Sequence, residues 1–172
     1  MHAIQWPGRY LPGTTDNYVS NEVIIAGLTA ADVWTYLNNT TYWPGYYKNV
    51  SAIEFDNQGG PELSLCQRFR FKTFEFPIEA EVTEHVPPLD GQPARLAWRG
   101  WMEGDEATAL DVLHAWLIED LPGGRVRVLT QESQIGQPAR AMATTLPNPM
   151  LNAHQDWLNG LVRTALEKKT AR

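Results

Sequence analysis

The stretch LSLCQRFRFKTF (63–74) sets Phe69, Phe71 and Thr73 against Arg68, Arg70 and Lys72, the two-residue alternation of a half-buried strand. The same period recurs in FPIEAEVTEHV (76–86), where Ile78, Ala80 and Val82 oppose Glu79 and Glu81. It returns in ARLAWRGWM (94–102), where Leu96 and Trp98 oppose Arg95 and Arg99. NVSAIEF (49–55) and the β-branched run YVSNEVIIAG (18–27) read as two further strands. DNQGGPE and PPLDGQP are turns between strands. Arg68, Arg70 and Lys72 are expected opposite Glu79 and Glu81, in cross-strand pairs worth roughly 0.2–1 kcal/mol each, enough to favour one register.

Two regions carry the helical period instead. LTAADVWTYLNN (28–39) predicts a short helix with Thr29 as N-cap, Asp32 closing a capping box, and Val33, Trp34 and Leu37 on one face. TTYWPGYY (40–47) follows as an aromatic helical turn. From Gln137 the pattern is helical again, broken at Pro147-Asn148-Pro149. Met150, His154, Trp157, Leu158, Leu161 and Ala165 then recur at three- and four-residue steps, the stripe of a long amphipathic helix. Residues 1–14, with Pro7, Gly8, Pro12 and Gly13, read as an extended arm, and 15–172 as a single domain.

HAWLIEDLPGGRVRVLTQES (114–133) is a hairpin with a puzzle in it. Val126 and Val128 alternate with Arg125 and Arg127, and continuing the phase puts Thr130 and Glu132 on the apolar side. His114 is likewise in phase with Trp116 and Ile118. A three-residue PGG loop pairs Leu121 with Arg125 and brings His114 opposite Glu132; a two-residue GG loop shifts every pair and turns His114 away. The first register makes both inward faces consistent and is preferred. Either the two polar residues form a site inside an apolar cavity, or they lie at a solvated strand end.

The order strand, short helices, a run of antiparallel strands and one long terminal helix predicts an α+β fold. About seven strands form a curved sheet wrapped around the C-terminal helix, with a hollow between. In this order, AADVWTYLNNTTYWPGYYKNVSAIEF, HAWLIEDLPGGRVRVLTQESQIG and HQDWLNGLVRTALEK resemble the START-like (SRPBCC) superfamily, across about residues 18–169. These stretches are similar to its first helix with Trp/Pro turn, its glycine-turn hairpin and its closing helix. The resemblance implies a helix-grip fold and a cavity for a small hydrophobic molecule, such as a lipid, polyketide or other aromatic. It also implies, as an alternative, a polyketide cyclase/aromatase- or dehydrase-type enzyme using the same cavity.

Composition narrows this picture. A chain of 172 residues suits one domain. The formal net charge of −6 and the lack of a basic stripe argue against nucleic acid. No run approaches the ~20 apolar residues of a membrane span, MHAIQWPGRYLPG carries no secretory pattern, and one cysteine, Cys66, suits a reducing compartment. A cytoplasmic protein is expected, with no cofactor. Cys66 reads as a small strand residue.

Seven Trp, six Tyr and five Phe exceed what core packing needs and point to a lined pocket. By the same resemblance, Trp43, Tyr46 and Tyr47 would close one end of it. Phe69, Phe71, Trp98, Trp116 and Thr130 would face it from the sheet, and Met150, His154, Trp157 and Leu161 from the helix. Glu132 and His114 are the candidate catalytic pair, as general base and partner. No H-x-x-x-H, H-E-x-x-H or Cys cluster is present, so spacing assigns no metal site; convergence of His114, His154 and Glu132 in space is the arrangement that would change this. A third reading is a stress- or partner-responsive interaction protein, using an exposed aromatic patch around Trp43 and Tyr46.

Overall fold

Alternation and capping act where the pattern places them. The computed structural model describes residues 1–56 and 59–171; Asn57 and Gln58, in the expected DNQGGPE turn, lie outside the described residues. The described chain runs β1 (Asn17–Ala26), α1 (Ala30–Asn38), a 3-10 turn (Thr40–Tyr42), α2 (Trp43–Tyr46), β2 (Val50–Phe55), β3 (Arg68–Thr73) and β4 (Phe76–Val86). It continues with β5 (Ala94–Met102), β6 (Leu110–Leu121), β7 (Arg125–Ile135), α3 (Gln137–Ala143) and α4 (Pro149–Thr170). The strands form one antiparallel sheet in the order β1-β7-β6-β5-β4-β3-β2. With α4 against its concave face, this is the helix-grip arrangement.

Local chemistry sets the element ends. Thr29 Oγ1 accepts from the Asp32 N–H at 3.3 Å and Asp32 Oδ2 accepts from the Thr29 N–H at 2.9 Å, the reciprocal capping box of α1. Gly123 and Gly124 both take positive φ, 81° and 65°, in the loop that pairs Leu121 with Arg125. Arg68 lies opposite Glu81 and Arg70 opposite Glu79 as expected. Arg68 bonds Glu81, but Arg70 turns to Glu54 on β2, 2.9 Å away, and Lys72 faces Pro77. The strand expected from residue 63 begins only at Arg68, because Ser64 N–H donates to Gln67 Oε1 and closes a turn. Cys66 sits exposed in that turn with φ 63°, so it is not a strand residue.

The core lies between α4 and the concave face, where Trp157, Leu158 and Leu161 meet Trp98, Trp116 and Val128. The convex face is also covered. Ile4 and Trp6 of the N-terminal arm pack on Ala97, Ala115, Leu117 and Leu129, the opposite parity of β5, β6 and β7. Glu119 anchors the arm, accepting from the His2 N–H and facing Arg127 at 2.7 Å, while Asp111 accepts from the Tyr10 hydroxyl at 2.7 Å. The arm is therefore a packed strap with a 3-10 turn at Gly8–Tyr10, and β6 is buried on both faces.

Gly160 lies inside α4, where glycine costs about 1 kcal/mol relative to alanine. A Cβ there would meet the Tyr46 carbonyl oxygen at 2.2 Å, so this glycine lets α2 seat directly on α4. Gly160→Ala is expected to destabilise the fold by about 1–3 kcal/mol despite its better helix propensity. Urea unfolding checks this; a stabilised variant would mean that the two helices do not make this approach.

Candidate functional site

The hairpin register decides the site. His114 pairs with Glu132, Trp116 with Thr130 and Ile118 with Val128, so both polar residues point to the concave side. Neither is at a solvated end: His114 is 2% exposed and Glu132 6%. His154, on the first half of α4, meets them from the helix side. Glu132 Oε2 lies 3.3 Å from His114 Nδ1 and 3.3 Å from His154 Nε2, and the two imidazoles stack in parallel with centroids 4.4 Å apart. His114 Nε2 is 2.8 Å from Thr130 Oγ1. With its proton on Nδ1 the His114 imidazole faces Glu132, which only accepts, and the Thr130 hydroxyl then donates to the bare Nε2.

Glu132 Oε1 starts a run of amides. Gln134 Nε2 donates to it, Asn17 Nδ2 donates to Gln134 Oε1 at 2.6 Å, and Asn148 Nδ2 donates to Asn17 Oδ1 at 2.8 Å. Asn148 is the N-cap of α4, and its Oδ1 accepts from the Met150 N–H at 3.0 Å. Every bond points the same way. The carboxylate fixes one end, the backbone N–H fixes the other, and such chains polarise one another. This run joins the first turn of α4 to β1, β7 and Glu132.

Electrostatics separates the charge states. Burial, reinforced by the neighbouring His154, holds the His114 imidazole down at about 3, so it is neutral. Burial pushes the Glu132 carboxyl up, but attraction and hydrogen bonding to His154, with His114 and Gln134 behind them, outweigh it and hold Glu132 at about 2. Glu132 is therefore an ionised carboxylate in the interior.

This cluster forms part of the wall of a cavity of about 650 Å³ between the sheet and α3–α4. Phe71, Trp98, Met150 and Trp157 line it together with His114, Glu132 and His154. Trp43, Tyr46, Phe69, Trp116, Thr130 and Leu161 do not line it, although all six are buried. Inward direction is common to both sets; the cavity occupies the half of the concave side nearest the β3–β4 turn and α3, and buried core side chains occupy the other half. Trp43 donates its indole N–H to the Leu37 carbonyl at 2.9 Å, and Tyr46 its hydroxyl to the Tyr36 carbonyl at 3.0 Å. With Trp43 fully buried and Tyr46 7% exposed, the exposed aromatic patch expected there is absent.

Several lining residues escaped the sequence reading. Val112 and Gln134 continue the phase of His114 and Glu132, a signal that was present in the alternation. Tyr47, by contrast, was expected with Trp43 and Tyr46 at the closed end, and it does line the cavity, stacking on Trp157 at 4.4 Å from a helix C-cap. Phe74 and Phe76 border the cavity while staying 43% and 57% exposed, so they mark its mouth.

His114, Glu132 and His154 offer one donor atom each within 4.8 Å of one another, two imidazoles and a carboxylate, a donor set suited to zinc or non-haem iron. Imidazole lone pairs lie in the ring plane. Because the rings are stacked within 5° of parallel, their planes do not meet within ligand distance of either ring, and a shared metal would require one ring to turn. As it stands, the arrangement is a buried polar cluster of two imidazoles around a carboxylate.

A Helicobacter pylori structure described as hypothetical protein jhp0584 is 50% identical, with a TM-score of 0.91 over 96% of this chain and 97% of that one. Norcoclaurine synthase from Thalictrum flavum superposes with a TM-score of 0.57 at 14% identity, covering 88% of this chain and 94% of that one. The di-domain ARO/CYC BexL of the BE-7585A biosynthetic pathway gives 0.58 at 11% identity, over 84% of this chain and 45% of that one. The chain belongs to one family with the Helicobacter protein and has the START-like (SRPBCC) fold. The two enzymes share that fold with it. No family profile and no curated protein matches this START-like chain. Among its described residues no helix is long and apolar enough to cross a membrane.

The buried pair makes the stability of the START-like domain depend on pH. Below about 6.5 the unfolded chain protonates His114 while the native state does not, until about 3. Stability therefore falls with falling pH, by about 1.4 kcal/mol per unit for one proton. Glu132 adds the same sign lower down: its stabilisation is present above the unfolded value of 4.5 and is lost as pH falls to about 2. Urea unfolding between pH 7 and 4 should show this slope, and His114→Gln should flatten its upper part. An unchanged slope in the variant would place the titration on another group.

Proposed function

We propose that this START-like domain binds a small, largely apolar molecule in the cavity between sheet and α4, oriented by Glu132 and its two histidines. The observation that carries this reading is the cavity itself. Its volume of about 650 Å³ falls within the roughly 300–1,000 Å³ of small-molecule sites, and aromatic and aliphatic walls surround one convergent polar cluster. Burial of ligand surface against Phe71, Ile78, Val112 and Trp98 supplies affinity, and the cluster supplies direction.

A second reading is favoured by the charge states. An ionised Glu132 beside a neutral His114 is the pairing that general acid–base chemistry uses. The likeness to norcoclaurine synthase and to the ARO/CYC protein BexL agrees with an enzyme of cyclase type working on a molecule held in the same cavity. The interaction-protein reading loses its basis with the burial of Trp43 and Tyr46.

Mass spectrometry of the freshly purified protein after denaturation is expected to release a stoichiometric apolar compound. Independently, the neutral dye Nile red should light up on the wild-type chain. Ala141→Trp sets an indole into the mouth from an exposed position on α3. It should weaken dye uptake by about tenfold or more with little change in Tm. An empty protein with no dye uptake, or uptake indifferent to Ala141→Trp, would overturn the cavity as the binding site.

A further inference from the structure

The charge inventory of the cavity says more about its ligand than its size does. Among the described residues no lysine or arginine lines it; the ionisable lining groups are Glu132, His114, His154 and the phenol of Tyr47, which burial keeps protonated. We infer that the ligand is a flat, mostly apolar molecule carrying a protonated amine, seated with its ammonium group against Glu132. This rests on the binding reading above and narrows it from hydrophobic molecules in general to arylalkyl ammonium compounds.

Three observations support it. First, Glu132 has room for another donor. A carboxylate offers about four lone-pair sites. Gln134 takes one on Oε1, and the two imidazole nitrogens approach Oε2 at 3.3 Å, longer than the roughly 2.7–2.9 Å of a charge-assisted bond. An ammonium group brings three donors into that space. Second, the cavity that Glu132 shares is walled by aromatic rings. Tyr47, Phe71, Trp98 and Trp157 line the cavity, and Trp98 and Trp157 lie 4.6 and 5.4 Å from the His114 ring, centroid to centroid. Ring faces attract a desolvated cation as well as an apolar ring system. Third, an anionic ligand meets no lysine or arginine among the described residues, and His154, whose attraction helps hold Glu132 ionised, already faces that carboxylate. A carboxylate or phosphate placed beside Glu132 would stand as a second negative charge in a low-dielectric site. Recruiting His114 as a counter-ion would mean protonating an imidazole that burial keeps neutral.

The test uses three probes with one ring system and different charge: 1-naphthylmethylamine, 1-naphthylmethanol and 1-naphthylacetate, each titrated calorimetrically into the intact chain at neutral pH. The amine is expected to bind about tenfold or more tightly than the alcohol, with the acetate weakest. Glu132→Gln should cut the amine's advantage, read as the ratio of amine to alcohol affinity on the same variant, to about threefold or less. Equal affinity for all three, or tightest binding of the acetate, would overturn the inference and leave the cavity reading standing. Binding of none of them would overturn both. If Glu132→Gln fails to fold, the ranking on the wild-type chain decides the matter by itself.

Discussion

An ionised carboxylate inside an apolar interior must be surrounded by donors, and Glu132 is where this fold meets that constraint. Its partners come from separate elements: His114 from β6, Gln134 from β7, and His154 from α4. Behind Gln134, Asn17 of β1 and Asn148 at the start of α4 extend the same run. The beginning of α4 is thus positioned by directional polar bonds. Its later half is positioned by close apolar packing of Leu158, Leu161 and Ala165. The difference has a consequence for shape. Apolar packing draws a helix onto a sheet until the gap is filled. A hydrogen-bonded cluster sets a fixed stand-off, and the cavity lies at the end of α4 where the cluster, not the packing, sets the distance.

The heavy aromatic content divides along the same line. Trp43 and Trp116 are interior packing, and Trp43 sits edge-on to Phe71 and Trp157 while tilting against Trp98. Trp98 and Trp157 have one side in that packed set and another on the cavity. A wall backed by rings that are themselves fully packed is stiff, which favours a preformed site over one that closes around its ligand. On the convex face, the strap of residues 1–14 covers the alanine and leucine positions of the central strands. Without it those positions would leave an apolar patch in water.

Much of this was written in the sequence, because alternation is a local record. Phe69 and Phe71 against Arg68 and Arg70 announce which face of β3 is buried, and the matching inward faces of the hairpin favour, over the two-residue alternative, the PGG register that sets His114 against Glu132. The capping box of Thr29 and Asp32 is equally local. Depth is not. Phe69 and Phe71 have the same inward phase, yet only Phe71 reaches the cavity, since that depends on where α3 and α4 leave the sheet. Thr130 and Glu132 differ in the same way.

By itself, then, the sequence determined the elements and their buried faces, and narrowed the pairing of the polar residues to two registers. Each follows from residues a few positions apart or directly opposite across one turn. Only the tertiary structure decided that His154 completes the cluster, that Asn17 and Asn148 carry its hydrogen bonds back to the helix N-terminus, and that Trp43 and Tyr46 are sealed away from the ligand space. Asn17 and Asn148 stand 131 residues apart in the chain. The contact between them exists only once sheet and helix have closed on one another, and no period in the sequence records how far apart they stop.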